Sequence, residues 1–226
     1  MDKSKKNPLV SVIVNCFNGE EFLYQSIKSI LNQTYKKTEI IFFDNNSTDN
    51  SLKIIKKFNN KKIKIFKNST KKTFKLYKAR NKAIDKAKGD FISFLDTDDT
   101  WNKNKLSSQI SAFKKNPSIN IFYSNYNLFF QNKKKTKKKS NTILPSGFIL
   151  QHLLNDYCIG INTLLINRKI FKKFRFDENY NIIGDFDLLI KISSKHKIVA
   201  LQKPLANYRV HKNNFSKNIQ MYLSEL

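Results

Sequence analysis

At 226 residues with 40% hydrophobic and 13% aromatic content, the chain is long enough for one sizeable core and too apolar to be disordered. Its formal net charge of +26 rests on 43 basic residues, of which only Arg80, Arg168, Arg175 and Arg209 are arginine. These charges are spread along the chain without a nucleic-acid-binding module or an aromatic-laced basic patch, so no nucleic acid is expected as partner.

The elements follow in chain order. LVSVIVNCF (9–17) is a continuous β-branched run, the pattern of a strand buried on both faces. Phe22, Leu23, Ile27, Ile30 and Leu31 then recur at helical spacing. EIIFFD (39–44) is a second strand, and a helix opens at 46–58 with Ser47, Thr48 or Asp49 as N-cap. KIKIF (62–66) is a third strand. The helix carrying Leu76, Ala79, Ala83, Ile84 and Ala87 is expected to stop at Gly89. DFISFL (90–95) is a fourth strand, and a helix with Leu106, Ile110 and Phe113 ends before Pro117.

The second half is less regular. INIFYSNYNLFF (119–130) reads as a strand and KKKTKKK (133–139) as a solvated loop. FILQHLL is a short helix, IGINTLLI a strand, GDFDLLIKIS a helix with acids in its first turn, and KIVALQKPLANYRVH a final strand. Strand and helix alternate four times in the first half, which predicts an α/β, Rossmann-like, mostly parallel sheet with helices on both faces. No linker or repeat interrupts it, so a single two-part domain is expected.

In such sheets ligands bind beyond the carboxyl ends of the strands. Three polar clusters fall there: Asn15 to Asn18, Asp44 to Ser47, and Asp96 to Asp99. The last, FLDTDDTW (94–101), places three carboxylates within four positions of an otherwise acid-poor chain. Carboxylates that close repel one another, so a cation should sit among them, either a lysine or a divalent metal carrying phosphate. A second reading makes Asp98 or Asp99 a cap on a helix starting at Trp101. No G-x-G-x-x-G or P-loop occurs.

Cys16 and Cys158 give neither a disulfide framework nor metal-ligand spacing, and a reduced, cytoplasmic setting is expected. The basic start precedes an apolar run too short for a signal peptide, and nothing approaches the roughly 20 apolar residues of a membrane span. Peripheral contact with the anionic inner face of the cell membrane is compatible with so many lysines.

Taken together, these blocks resemble family 2 glycosyltransferases, nucleotide-sugar-dependent enzymes of GT-A fold. VSVIVNCFNGEEFLYQSIKSILNQTY looks like the family's first strand and helix, and FFDNNSTDNS its acidic turn. LYKARNKAIDKAKGDFISFLDTDD resembles its Ala-Arg-Asn helix and D-x-D motif. FDENYNIIGDFDLLIKIS resembles its base-bearing segment, and YRVHKNNFS its closing motif. The resemblance spans a catalytic domain of residues 8–216, with a nucleotide-sugar half (8–116) and an acceptor half (117–216).

The resemblance implies roles for particular residues. Asp96, Thr97 and Asp98 form the D-x-D, with Asp98, Asp96 and His211 near Mg²⁺ or Mn²⁺ and the donor diphosphate. Asn15, Phe17, Asn18, Asp44, Asn45 and Arg80 would hold the nucleotide sugar, a UDP-sugar. Asp185 would be the general base, with Gly184 standing where many members carry Glu. Each has a plainer reading. Phe17 could be core, Arg80 an ordinary helix cation, His211 structural, and Asp185 and Asp187 mere helix-terminus acids. Trp101 could floor the acceptor site or simply pack. The implied function is inverting transfer of a sugar to a hydroxyl of a cell-envelope or lipid-linked glycan. Its rivals are a sugar-nucleotide nucleotidyltransferase, which would want a glycine- and arginine-rich loop after strand one, and a non-catalytic or nucleic-acid-binding basic module.

Overall fold

A computed structural model describes residues 7–214 and 218–225. Phe215 and Ser216, the end of the closing motif and of the expected domain, and the basic residues 1–6 lie outside that range. The first half runs β1 (Val10–Cys16), α1 (Glu20–Leu31), β2 (Thr38–Asp44), α2 (Ser51–Lys57), β3 (Ile63–Lys67), α3 (Leu76–Lys86), β4 (Phe91–Phe94), β5 (Thr100–Trp101) and α4 (Lys105–Lys115). The second runs β6 (Ile121–Phe130), β7 (Lys135–Lys138), α5 (Leu150–Asn155), β8 (Leu165–Asn167), α6 (Gly184–Ser193), β9 (Ile198–Val210) and α7 (Ile219–Glu225).

One sheet crosses both halves in the order β3-β2-β1-β4-β8-β6-β9-β5, with β7 on β6. β1, β2, β3 and β4 are parallel, β8 enters antiparallel, and β6 and β9 pair parallel. The apolar runs explain this placement. Along β1 and β2, Ile13, Ile41 and Phe43 face a layer containing α3, α5 and α6, while Val12, Val14, Ile40 and Phe42 face α1, α2 and α4. A strand with apolar residues on both sides is stable only when covered on both, which requires helices on each face.

Several expectations are corrected. The stop of α3 comes before Gly89, with Ala87 already extended. Gly89 instead allows β1 to approach, since a Cβ there would lie 2.6 Å from the Ser11 nitrogen. The helix after the acids begins at Lys105 and not at Trp101, because Thr100 and Trp101 pair with Asn207 and Ala206 of β9. Neither Asp98 nor Asp99 therefore caps it. Part of the lysine run is a strand: residues 135–138 pair antiparallel with β6 while all four side chains stay exposed. IGINTLLI divides into a 3₁₀ turn at 161–163 and the short β8. Pro204 lies where the β6–β9 register shifts, the kind of irregularity that accommodates a residue lacking an N–H.

Under the sheet, Lys105 is fully buried. Its ammonium donates to Ser93 Oγ (2.8 Å), Gln109 Oε1 (3.0 Å) and the Leu164 carbonyl (3.2 Å), and sits 4.1 Å from the Trp101 ring centroid. Burial pushes its pKa well below the ordinary lysine value of 10.5. The unfolded chain then binds this proton more readily than the folded one, so stability rises with pH across the interval from the depressed value to 10.5. Thermal unfolding from pH 7 to 10 should show this rise in the wild type, and Lys105→Met should flatten it. Parallel curves for the two proteins would refute a depressed Lys105.

Candidate active site

The carboxyl ends of β1, β2 and β4 open on the same edge. Asn15, beside Phe43 in the β1–β2 register, has both side-chain amide atoms buried with no hydrogen-bond partner. Asp44, opposite Cys16, has Oδ1 in the same condition. Each such group costs roughly 1–3 kcal/mol if left unmet, which marks this edge as one built to receive polar atoms. Phe17 is 53% exposed, so it is not core. Asn18 and Asn45 are engaged within the protein. Asn18, at φ 52°, accepts from Thr48 N (2.8 Å), holding the β1 loop to the β2 loop. Asn45 accepts from Phe74 N (3.0 Å) and Asn68 Nδ2 (3.1 Å) and donates to the Phe74 carbonyl (2.9 Å), pinning the loop before α3.

The acid turn is held from three sides. Arg80, buried on α3, donates to Asp96 Oδ1 at 2.7 Å and lies over the Tyr77 and Phe176 rings at 5.2 and 5.9 Å. Thr97 packs against Gly19, where a Cβ would come within 2.8 Å of its hydroxyl, so only glycine lets the two loops close together. Asp98 Oδ2 is 3.1 Å from His211 Nε2, and its backbone carbonyl accepts from Arg209 Nε at 2.7 Å. Burial and the neighbouring Asp96 charge push the Asp98 carboxyl above the usual range. Asp99 is fully enclosed. Its oxygens accept from Asn162 Nδ2 (2.5 Å) and Arg209 N (2.9 Å), tying the turn to β9 and to the 3₁₀ segment. Trp101 is buried and donates from Nε1 to the Asn162 carbonyl at 2.8 Å, so it packs beneath the site.

Asp185 stands on the first turn of α6. Its Oδ1 accepts from Phe186 N at 2.9 Å and lies 3.3 Å from the Tyr77 hydroxyl, which donates to the Ile182 carbonyl at 2.8 Å. Burial raises its pKa, and the Arg80 charge partly offsets that rise. The Tyr157 hydroxyl is buried without a hydrogen-bond partner, and its ring meets Phe186 at 5.2 Å. Asp187 pairs with Lys191 one turn on, at 2.7 Å, a half-exposed surface contact. The structure accounts for Gly184: a Cβ would lie 2.5 Å from two Tyr77 ring atoms, so no larger residue fits while that ring holds its place.

The sequence model described as Glycosyl transferase family 2 matches residues 11–190. The chain belongs to this family. A relative from Escherichia coli, the UDP-Glc:alpha-D-GlcNAc-diphosphoundecaprenol beta-1,3-glucosyltransferase WfgD, is 32% identical over 93% of this chain and 80% of its own length. The putative teichuronic acid biosynthesis glycosyltransferase TuaG of Bacillus subtilis is 28% identical over 93% of this chain and 82% of its own. Among solved structures, S. aureus TarS 1-349 in complex with UDP-GlcNAc superposes with a TM-score of 0.73 at 20% identity, covering 93% of this chain and 61% of that one. The mannosyltransferase PcManGT of Pyrobaculum calidifontis, solved with GDP-Man and Mn²⁺, gives 0.68 at 13%, covering 95% and 61%. The chain thus spans about three fifths of those solved chains, and the likeness establishes the GT-A fold.

In this family 2 chain, the donor set suits a hard divalent ion only in part. Among the described residues no cluster of three or more His, Cys, Asp or Glu side chains could hold a metal by itself. Asp96 and Asp98, the latter's pKa lifted by burial and by the Asp96 charge, do fit an ion whose remaining ligands are substrate oxygens. Sequence reasoning missed Asn162, Arg209, Tyr77 and Tyr157. Only Arg209 carried a signal, the scarcity of arginine. Gly184→Ala should destabilise the fold by about 1–3 kcal/mol through overpacking, a fall of a few degrees in melting temperature by calorimetry. An unchanged melting temperature would mean that Tyr77 yields freely.

Proposed function

We propose that this protein transfers a sugar, with inversion, from a nucleoside-diphosphate donor, a UDP-sugar, to a hydroxyl of a cell-envelope or lipid-linked glycan. The observation that carries the reading is the placement of Asp96 and Asp185 around one buried guanidinium, Arg80, at the ligand-binding edge of the sheet. UDP-glucose and a diphosphoundecaprenol-linked acceptor appear in the name of the relative WfgD, and UDP-GlcNAc occupies the similar TarS fold. Residues 8–116 would form the donor half and 117–216 the acceptor half.

Asn15, Phe17 and Asp44 receive the nucleoside: the exposed ring offers a stacking face, and the unpartnered amide and carboxylate oxygen offer hydrogen bonds. Asn18 and Asn45 frame that pocket by holding its loops, and Thr97 fixes the D-x-D against Gly19. Asp98 and Asp96, with His211 beside them, are the residues that would hold Mg²⁺ or Mn²⁺, which when bound neutralises charge on the departing diphosphate. Arg80 keeps Asp96 oriented and supplies a fixed positive charge. Asp185 accepts the proton of the acceptor hydroxyl while the oxygen bonds to the anomeric carbon and the bond to the diphosphate breaks on the opposite face.

Calorimetry should show tight UDP binding with Mn²⁺ and weak binding in chelator, and Asp98→Asn should weaken binding and turnover together. Asp185→Asn should keep donor affinity yet lower turnover by roughly 10²- to 10⁴-fold. Because the base works only when ionised and its pKa is raised, kcat/KM of the wild type should fall as pH drops through that raised value. Asp187→Asn is the control. A near-wild-type Asp185→Asn beside a dead Asp187→Asn would move the base two residues on.

No helix among the described residues is long and apolar enough to cross a membrane. Access to a lipid-linked acceptor is proposed to come through peripheral contact. Ile143, Phe148 and Leu154 are exposed at 86%, 67% and 55%, with Lys197 5.5 Å from the Phe148 ring and Lys139 and Ile143 lining one cleft. Apolar side chains beside lysines suit an anionic bilayer surface. Replacing the lysines of 133–139 with Gln together with Phe148→Ser should abolish salt-sensitive binding to phosphatidylglycerol vesicles and leave turnover on a soluble acceptor intact. Collapse of that turnover would place the β7 face in the active site instead.

A further inference from the structure

The segment that leads into α6 is held through its backbone from two sides. The N–H groups of Asn181, Ile182 and Ile183 all donate to the carboxylate of Glu225, at 2.5, 2.8 and 3.0 Å. Glu225 closes α7, 42 to 44 positions further along the chain. The other side of the segment belongs to α3. Leu76 N donates to Asn181 Oδ1 (3.3 Å), Lys75 Nζ to the Asn179 carbonyl (2.8 Å), and the Tyr77 hydroxyl to the Ile182 carbonyl (2.8 Å). Gly184 and Asp185 follow directly in the chain.

This clamp stands where α6 does not cap itself. Its N-cap residue, Ile183, is apolar and makes no side-chain cap bond, so the amides at this end find no acceptor inside the helix. A carboxylate answers that need, because it accepts several bonds at once and is favoured at a helix start. The contact also defines α7. That helix has no buried residue, and Ile219 and Leu223 are 71% and 63% exposed. Among the described residues, the side-chain hydrogen bonds of α7 to the rest of the domain all come from Glu225.

The same backbone sets the aim of Asp185. The Tyr77 hydroxyl is shared between the Ile182 carbonyl and Asp185 Oδ1, and the second bond to Oδ1 comes from Phe186 N. A shift of residues 181–183 therefore moves both groups that orient the carboxylate. We infer that Glu225 is a positioning residue for sugar transfer, locking the turn that presents Asp185 to the acceptor. The inference rests on the proposed transferase reading, with Asp185 as base.

Amide exchange and kinetics on the full chain test it. Hydrogen exchange followed by mass spectrometry should be about tenfold or more faster across residues 178–187 in Glu225→Ala than in wild type, with β1 and β4 unchanged. Its kcat should fall about 10- to 100-fold, the size expected when a catalytic group is misplaced by ~1 Å, while UDP affinity with Mn²⁺ stays at the wild-type value. Glu225→Gln keeps one carbonyl oxygen and should lie between the two. Leu223→Ser, on the same helix, should leave kcat unchanged. The decisive comparison is the double variant: Glu225→Ala with Asp185→Asn should turn over no more slowly than Asp185→Asn alone, since no base remains to be aimed. A further loss in the double variant, weakened UDP binding in Glu225→Ala, or an unchanged kcat in that variant would each overturn the positioning role and leave the transferase reading intact. Wild-type turnover in Asp185→Asn, or no reaction with any sugar nucleotide, would sink that reading and the positioning of its base together.

Discussion

The buried guanidinium of Arg80 sets the arrangement of charge around the acid turn. Arg80 cannot lose its proton, and burying it demands partners on every side. Asp96 supplies one at 2.7 Å, the rings of Tyr77 and Phe176 supply two faces, and Asp185 contributes further negative potential. Because α3 carries Arg80 and Tyr77 together, the same helix turn fixes the acid turn after β4 and the first turn of α6. The acid turn and α6 are thereby both linked to α3 by polar contacts as well as by packing. Lysine in this position could not act alike, since a point charge cannot bond a carboxylate while stacking between two rings.

The first half was legible because local signals and global fold agree. Continuous β-branched runs give strands covered on both faces, and alternation with helices places Asn15, Asp44 and Asp96 at one edge. What escaped depends on partners far away in sequence. Asp99 looks like a helix cap from its neighbours, yet its partners Asn162 and Arg209 lie 63 and 110 positions on. Thr100 and Trp101 form a strand only because β9 runs past them. The lysine run is solvated as its composition demands, but backbone pairing ignores side-chain polarity, so β6 recruits residues 135–138 as an exposed edge. Gly184 shows the same limit. Its departure from the family pattern is opaque in sequence and follows at once from the Tyr77 ring beside it.

Behind the acid turn, the polar groups form a connected chain through the core. Lys105 bonds Ser93, Gln109 and the Leu164 carbonyl, Trp101 and Gln109 bond the carbonyls of Asn162 and Thr163, and Asn162 bonds Asp99. Apart from Asn162 Oδ1, which is buried without a partner, these groups satisfy one another, so the network ties the position of the acids to the packing beneath the sheet. The acid turn is therefore fixed by the core beneath it as well as by its own partners.

The division of labour between arginine and lysine has a practical consequence. All four arginines make directed bonds: Arg80 to Asp96, Arg209 to the Asp98 carbonyl, Arg168 to the Gly89 carbonyl, Arg175 to Asp85. Among the described residues only Lys105 is a buried lysine, so nearly every other amine meets solvent. Exhaustive acylation by a reagent or an acetylating enzyme would reverse the sign of the +26 charge, leaving the 17 acids in excess, while the guanidinium bonds and the buried Lys105 stay untouched. The colloidal behaviour of this protein and its architecture can be altered independently, one through amine chemistry and the other through four planar forks.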